Sequence, residues 1–142
     1  MPDKADTIEL KVVTPNGVIY DSEVKRATIP TESGEITIYP DHAPLISILK
    51  PGEIQVKKED YEVGMSVSKG VLEVQPDNKI YALADTAERA TSIDIEQAKQ
   101  ARERAREILE KKRNQEEADF DALKGKIKKE TARIHVGQKY KG

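Results

Sequence analysis

The spacing of apolar and polar positions divides the chain in two. Up to about residue 84 apolar residues alternate with polar ones in short runs, the period of half-buried strands. Ile8, Leu10 and Val12 alternate with Glu9 and Lys11, and Pro15-Asn16-Gly17 turns the chain. Val18 to Tyr20 forms a second strand, and Asp21-Ser22 leads into a third over residues 24–30. After the turn Thr31-Glu32-Ser33-Gly34, Ile36 and Ile38 alternate with Thr37 and Tyr39. Further strands are expected at residues 45–49, 53–58, 61–68, 71–74 and 80–84, with Pro76-Asp77-Asn78 as a turn. About nine or ten short strands at this spacing predict an antiparallel β-sandwich, one face of each sheet buried.

At Asp85 the period lengthens to that of a helix. Asp94 is a candidate N-cap, and Thr91 with Asp94 has the spacing of a capping box. Ala98, Ala101, Ala105, Ile108 and Leu109 share one face, mostly alanine, which lets a second helix approach closely but buries little area. Residues 110–117 are wholly polar, and Phe120, Leu123, Ile127 and Ile134 mark a second amphipathic helix. Gly125 inside it costs about 1 kcal/mol relative to alanine. The expected architecture is therefore a sandwich over residues 1–90 followed by an antiparallel two-helix hairpin over residues 91–142. With an alanine seam and a charged turn, the hairpin has few contacts with which to resist opening. Straightened into one helix it would be roughly 65–70 Å long.

Charge sharpens this division. Residues 1–90 carry 10 Lys and Arg against 16 Asp and Glu, whereas residues 91–142 carry 14 against 10. Opposite net charges suggest two regions with different partners. Nucleic acid is excluded by the 4% aromatic content, too low for base-stacking platforms. The absence of cysteine removes disulfides and thiolate metal sites, and two histidines far apart make no metal site. No apolar run approaches the roughly 18 residues that span a bilayer. The N-terminus lacks a signal-peptide pattern, so any contact with a membrane is expected through a partner.

Residues 34–52 read GEITIYPDHAPLISILKPG. Pro40 ends one strand, Asp41 and His42 make a corner, and Pro44 forces Ala43 into an extended conformation before the next strand. This Pro-x-His-x-Pro corner, closed by Pro51-Gly52, resembles the corresponding segment of the epsilon subunit of bacterial rotary ATP synthases. The resemblance continues through Ser68-Lys69-Gly70-Val71-Leu72-Glu73-Val74-Gln75-Pro76 and Ala82-Leu83-Ala84-Asp85-Thr86-Ala87-Glu88, in order, across most of the chain.

The resemblance implies a non-catalytic subunit that docks on the gamma shaft and the membrane c-ring and inhibits ATP hydrolysis through its C-terminal helices. It implies ring-facing residues Glu32, Ser33, Gly34, Glu35 and His42. The family's usual glycine before the histidine is Asp41 here. Read alone, His42 is a hydrogen-bonded turn residue with no sign of a nucleophile beside it.

Some epsilon subunits bind ATP in the folded hairpin, and that likeness singles out Glu88, Asp94, Gln97, Arg104, Lys129 and Arg133. Gln97 stands where the motif has arginine and supplies neither charge nor a bidentate fork, so any ATP binding is expected to be weak and no resident cofactor is expected. Read alone, these are solvated helix charges and caps, the favoured reading against tight binding. The basic run Lys124, Lys126, Lys128, Lys129 and Arg133 is opposed only by Glu130, and the resemblance implies contact with the catalytic alpha/beta head. The location that follows is peripheral, on the cytoplasmic face of a bacterial inner membrane. Two other classes stay open: a free-standing adaptor gripping a client with its paired helices, and a weak nucleotide-sensing module.

Overall fold

The computed structural model describes residues 6–111 and 117–140. Ten strands come first: β1 (Ile8–Thr14), β2 (Gly17–Val24), β3 (Arg26–Thr31), β4 (Gly34–Ile38), β5 (Leu45–Leu49), β6 (Gly52–Lys57), β7 (Glu62–Val67), β8 (Gly70–Gln75), β9 (Lys79–Ala84) and β10 (Ala87–Arg89). A single 3-10 turn, Ala90–Ser92, leads to helices α1 (Ile95–Lys111) and α2 (Glu117–Tyr140). The strands pair in one path, β10-β7-β6-β3-β5-β8-β9-β1-β2, with β4 attached to β3.

The path folds over at β3. Arg26 to Thr28 of β3 pair with β6, whereas β5 meets β3 at Thr31 opposite Leu49. Thr31 is buried at this bend, and its Oγ1 donates to the carbonyl of Gly34 at 2.6 Å, tightening the β3–β4 turn. The two layers close over a core that includes Leu10, Ile29, Ile38, Ile54, Met65, Leu72 and Ile80.

Three features differ from the reading of the sequence. β2 runs unbroken through Asp21 and Ser22, because β1 pairs with both, Lys11 opposite Asp21 and Leu10 opposite Ser22; the next strand begins at Arg26. The sheet is antiparallel except for β1 beside β9, which are parallel. A tenth strand follows Asp85, three residues too short to show a period, zipped onto β7 through Ala87 opposite Val67.

The helices form an antiparallel pair: Gly137, near the end of α2, lies against Ile93 and Ile95 at the start of α1. Asp94 caps α1, its Oδ1 accepting from the Gln97 N–H at 3.0 Å; Thr91 lies in the 3-10 turn instead. Ala98, Ala105 and Ala132 are buried in the seam, and Ile108 stays 39% exposed. Of the polar tip expected at residues 110–117, residues 112–116 lie outside the described residues. It is α2 that rests on the sandwich, over β6 and β7.

Candidate functional site

The helices meet the sandwich through the last two turns of α2. Gly64 on β7 is the seat: a Cβ built there would stand 2.1 Å from Cε2 of Tyr140, so the phenol ring lies directly on the glycine. Beside it the Lys139 ammonium reaches Glu53 at 3.1 Å. The Tyr140 hydroxyl is buried beside the Glu53 carboxylate. Burial first, then the neighbouring Glu53 and Glu62 carboxylates, hold its pKa well above the ordinary phenol value.

Nearly two turns earlier, Arg133 joins three elements. Its Nε donates to Glu88 on β10 at 2.8 Å, Nη1 to Glu130 at 2.8 Å and Nη2 to Gln97 on α1 at 3.4 Å. The Glu130 side chain is only 3% exposed, so its charge depends on Arg133 and on Lys129 at 3.8 Å. Burial works against the Arg133 charge, but the hydrogen bonds it donates to Glu88 and Glu130 outweigh it and hold the guanidinium more basic than usual.

Of the candidate nucleotide residues, four therefore come together, Glu88, Gln97, Lys129 and Arg133. Glu88, Lys129 and Arg133 line a depression of about 260 Å3 with Ser66, Thr86 and Ala87. Asp94 uses its carboxylate to cap α1, and Arg104 is exposed farther along that helix, away from the depression. The candidate basic run also splits: Lys124, Lys126 and Lys128 are exposed, while Lys129 and Arg133 turn toward Glu130. Lys124 lies over the Phe120 ring at 4.4 Å.

The candidate ring-facing residues do not form one patch. Glu32, Ser33 and Gly34 make the exposed β3–β4 turn. Glu35 shares a second depression with Glu53, His135 and Lys139, under the end of α2. His42 stands at the opposite end of β4, a strand of roughly 14–17 Å at 3.4 Å per residue. Its Nδ1 lies 2.7 Å from the Ala43 carbonyl, a contact in which Nδ1–H donates.

A further surface escaped the sequence reading. Ile48 lies opposite Val71, Val71 opposite Leu83, Leu83 opposite Val13 and Val13 opposite Val18. Directly paired residues share a face, so these five side chains form one apolar stripe across β5, β8, β9, β1 and β2. Val18, Ile48, Val71 and Leu83 are each 43–54% exposed, and Ile46 beside them is 75% exposed. The signal was present in LISIL and VLEV, which are apolar at both parities and so mark strands with two faces to cover. Among the described residues no cluster of His, Cys, Asp and Glu could hold a metal ion, and no helix is long and apolar enough to cross a membrane.

Residues 7–90 match the family described as ATP synthase, Delta/Epsilon chain, beta-sandwich domain. The chain is 39% identical over 134 residues to the ATP synthase epsilon chain of Chloroflexus aggregans, covering 94% of each. It is 36% identical over 130 residues to that of Halalkalibacterium halodurans, covering 92% of this chain and 96% of the relative. A chain in the Euglena gracilis mitochondrial ATP synthase (OSCP/F1/c-ring) superposes with a TM-score of 0.77 at 21% identity, over 94% of this chain and 82% of that one, a likeness of fold. With a matched sandwich and relatives aligned through both helices, this chain belongs to the epsilon chains of the rotary ATP synthases.

Proposed function

We propose that this epsilon chain does no chemistry of its own and works as a coupling and braking part of the central stalk. The sandwich docks on the gamma subunit through the Val13, Val18, Ile48, Val71 and Leu83 stripe. The β3–β4 turn and, at the other end of β4, the His42 corner meet the membrane ring as two separate contacts. The observation that carries the reading is the stripe: contiguous exposed apolar side chains, in register over five strands, call for a protein partner.

The hairpin is the brake. Its exposed Lys124, Lys126 and Lys128 meet an acidic segment of the catalytic head once α2 leaves the sandwich, releasing Lys129 and Arg133 as well. Nucleotide has no role in this reading, because Glu88 and Glu130 already answer the Arg133 charge and a polyphosphate would have to displace them. The chain sits on the cytoplasmic face of a bacterial inner membrane, held by its partners.

The test uses a gamma-containing catalytic head depleted of this subunit. The full chain is expected to co-purify with it and to slow ATP hydrolysis, the slowing relieved by moderate salt. Val71→Asp with Leu83→Asp is expected to weaken binding at least tenfold while the sandwich stays folded, since both side chains point outward. Binding at the unaltered affinity would remove the stripe as the gamma-facing surface.

A further inference from the structure

We propose that Asn78 is a positioning residue for the His42 corner: it locks Asp41 in a backbone conformation that glycine would adopt unaided. Residues 39–42 form a β-turn in which the His42 N–H donates to the Tyr39 carbonyl at 3.2 Å. Pro40 occupies the second position and Asp41 the third, with φ of 66°. Proline followed by a positive φ defines a type II turn, whose third position disfavours any side chain because Cβ crowds the neighbouring carbonyl. An aspartate there needs something to hold it.

The holder comes from another hairpin. The Asp41 N–H donates to Asn78 Oδ1 at 2.5 Å. Asn78 lies in the β8–β9 turn at φ of 60°, a conformation asparagine tolerates better than most residues. Its carbonyl accepts the Glu9 N–H at 2.8 Å where β1 begins. One residue thus ties the start of β1, the β8–β9 turn and the corner together. The tie sets the direction of His42, whose Nδ1–H is committed to the Ala43 carbonyl and whose Nε2 side is left for a partner. The functional half of this inference rests on the ring-facing reading of His42 given above; the geometric half does not.

Asn78→Gly separates them, because glycine keeps the positive φ and the carbonyl for Glu9 and removes only Oδ1. In the full chain, hydrogen exchange at the Asp41 amide is expected to accelerate at least tenfold, with the β1 and β9 amides unchanged. Asn78→Asp, which retains an acceptor, is expected to exchange as the unaltered chain does. In the assembled ATP synthase, Asn78→Gly is expected to lower the ions pumped per ATP hydrolysed at least threefold. Adding Asp41→Gly is expected to restore the ratio, since glycine holds the turn without the tie. An unchanged Asp41 amide in Asn78→Gly overturns the lock. A pumping defect that Asp41→Gly fails to rescue overturns the positioning role. His42→Ala tests the docking reading alone: normal pumping there removes the corner from the ring contact, and the functional half with it.

Discussion

The sandwich and the hairpin are held by different kinds of force. Eighteen buried apolar side chains fill the sandwich, most of them Leu, Ile, Val and Met. Among the described residues of the two helices five apolar side chains are buried, and Ala98, Ala105 and Ala132 are three of them. Each large aliphatic side chain removed from water contributes about 1.5–3 kcal/mol, and an alanine methyl far less. The sandwich is stable because it excludes water over its whole interior. The hairpin stays in place because of a few directional contacts at one end of α2: the Tyr140 ring on Gly64, Arg133 with Glu88, and Lys139 with Glu53. The first kind of structure opens only by unfolding. The second is expected to let go locally, as the proposed brake on a docking platform requires.

The sharpest way to break this contrast is to damage each region in its own currency. Leu72→Ala, at a fully buried position, is expected to cost the sandwich about 2–5 kcal/mol in urea unfolding. The loss should not depend on salt. Gly64→Ala comes next, because the added methyl has no room beneath Tyr140 and overpacking costs about 1–3 kcal/mol. Here the cost is expected to fall on docking: exchange of the α2 amides around Ala132 to Gln138 rises tenfold or more, and the β8 and β9 amides keep their protection. If Gly64→Ala unfolds the sandwich instead, or leaves α2 protected, the hairpin is not a separately releasable unit.

That division of forces also explains what could be read in advance. Alternation of period two located the strands, because each has one face on a core of large apolar residues. It failed at Asp21 and Ser22, where two polar residues resembled a turn but stay in the ladder with Lys11 and Leu10. It failed again at β10, too short to carry a period. The Asp94 cap was legible because a cap is a local pattern. The clasp was not. A glycine in β7 reads only as a weak strand residue until Tyr140 is seen above it, and Glu53 meets Lys139 across a sequence separation of 86. The candidate nucleotide residues were legible as a spacing, but not the role Gln97 takes as an acceptor for Arg133. That Glu35 and His42 lie at opposite ends of β4 was legible, because the alternation of Ile36 and Ile38 already set a strand between the Gly34 turn and Pro40. The apolar stripe was half visible, in runs apolar at both parities, but its continuity depends on register.

The smallest expected effect is the most specific to the clasp. The Tyr140 phenol, buried beside two carboxylates, resists ionisation while docked, whereas an undocked phenol ionises near pH 10. Below that pH both states are neutral and the contribution of the ring to docking is fully present. Above it the undocked state releases a proton that the docked state retains, so docking weakens as pH rises through the alkaline range. Tyr140→Phe has nothing to ionise and keeps the ring on its Gly64 seat. It is expected to dock as tightly as tyrosine, or slightly more so, at neutral pH, and to lose less docking above pH 10. Lys139 and its contact with Glu53 are common to both chains. The difference between the two pH curves of α2 proteolysis, rather than either curve alone, therefore isolates the phenol. A phenylalanine variant that loosens at neutral pH would show that the hydroxyl holds the clasp. The hairpin would then owe more to polar contacts, and less to the seat on Gly64, than the contrast with the sandwich implies.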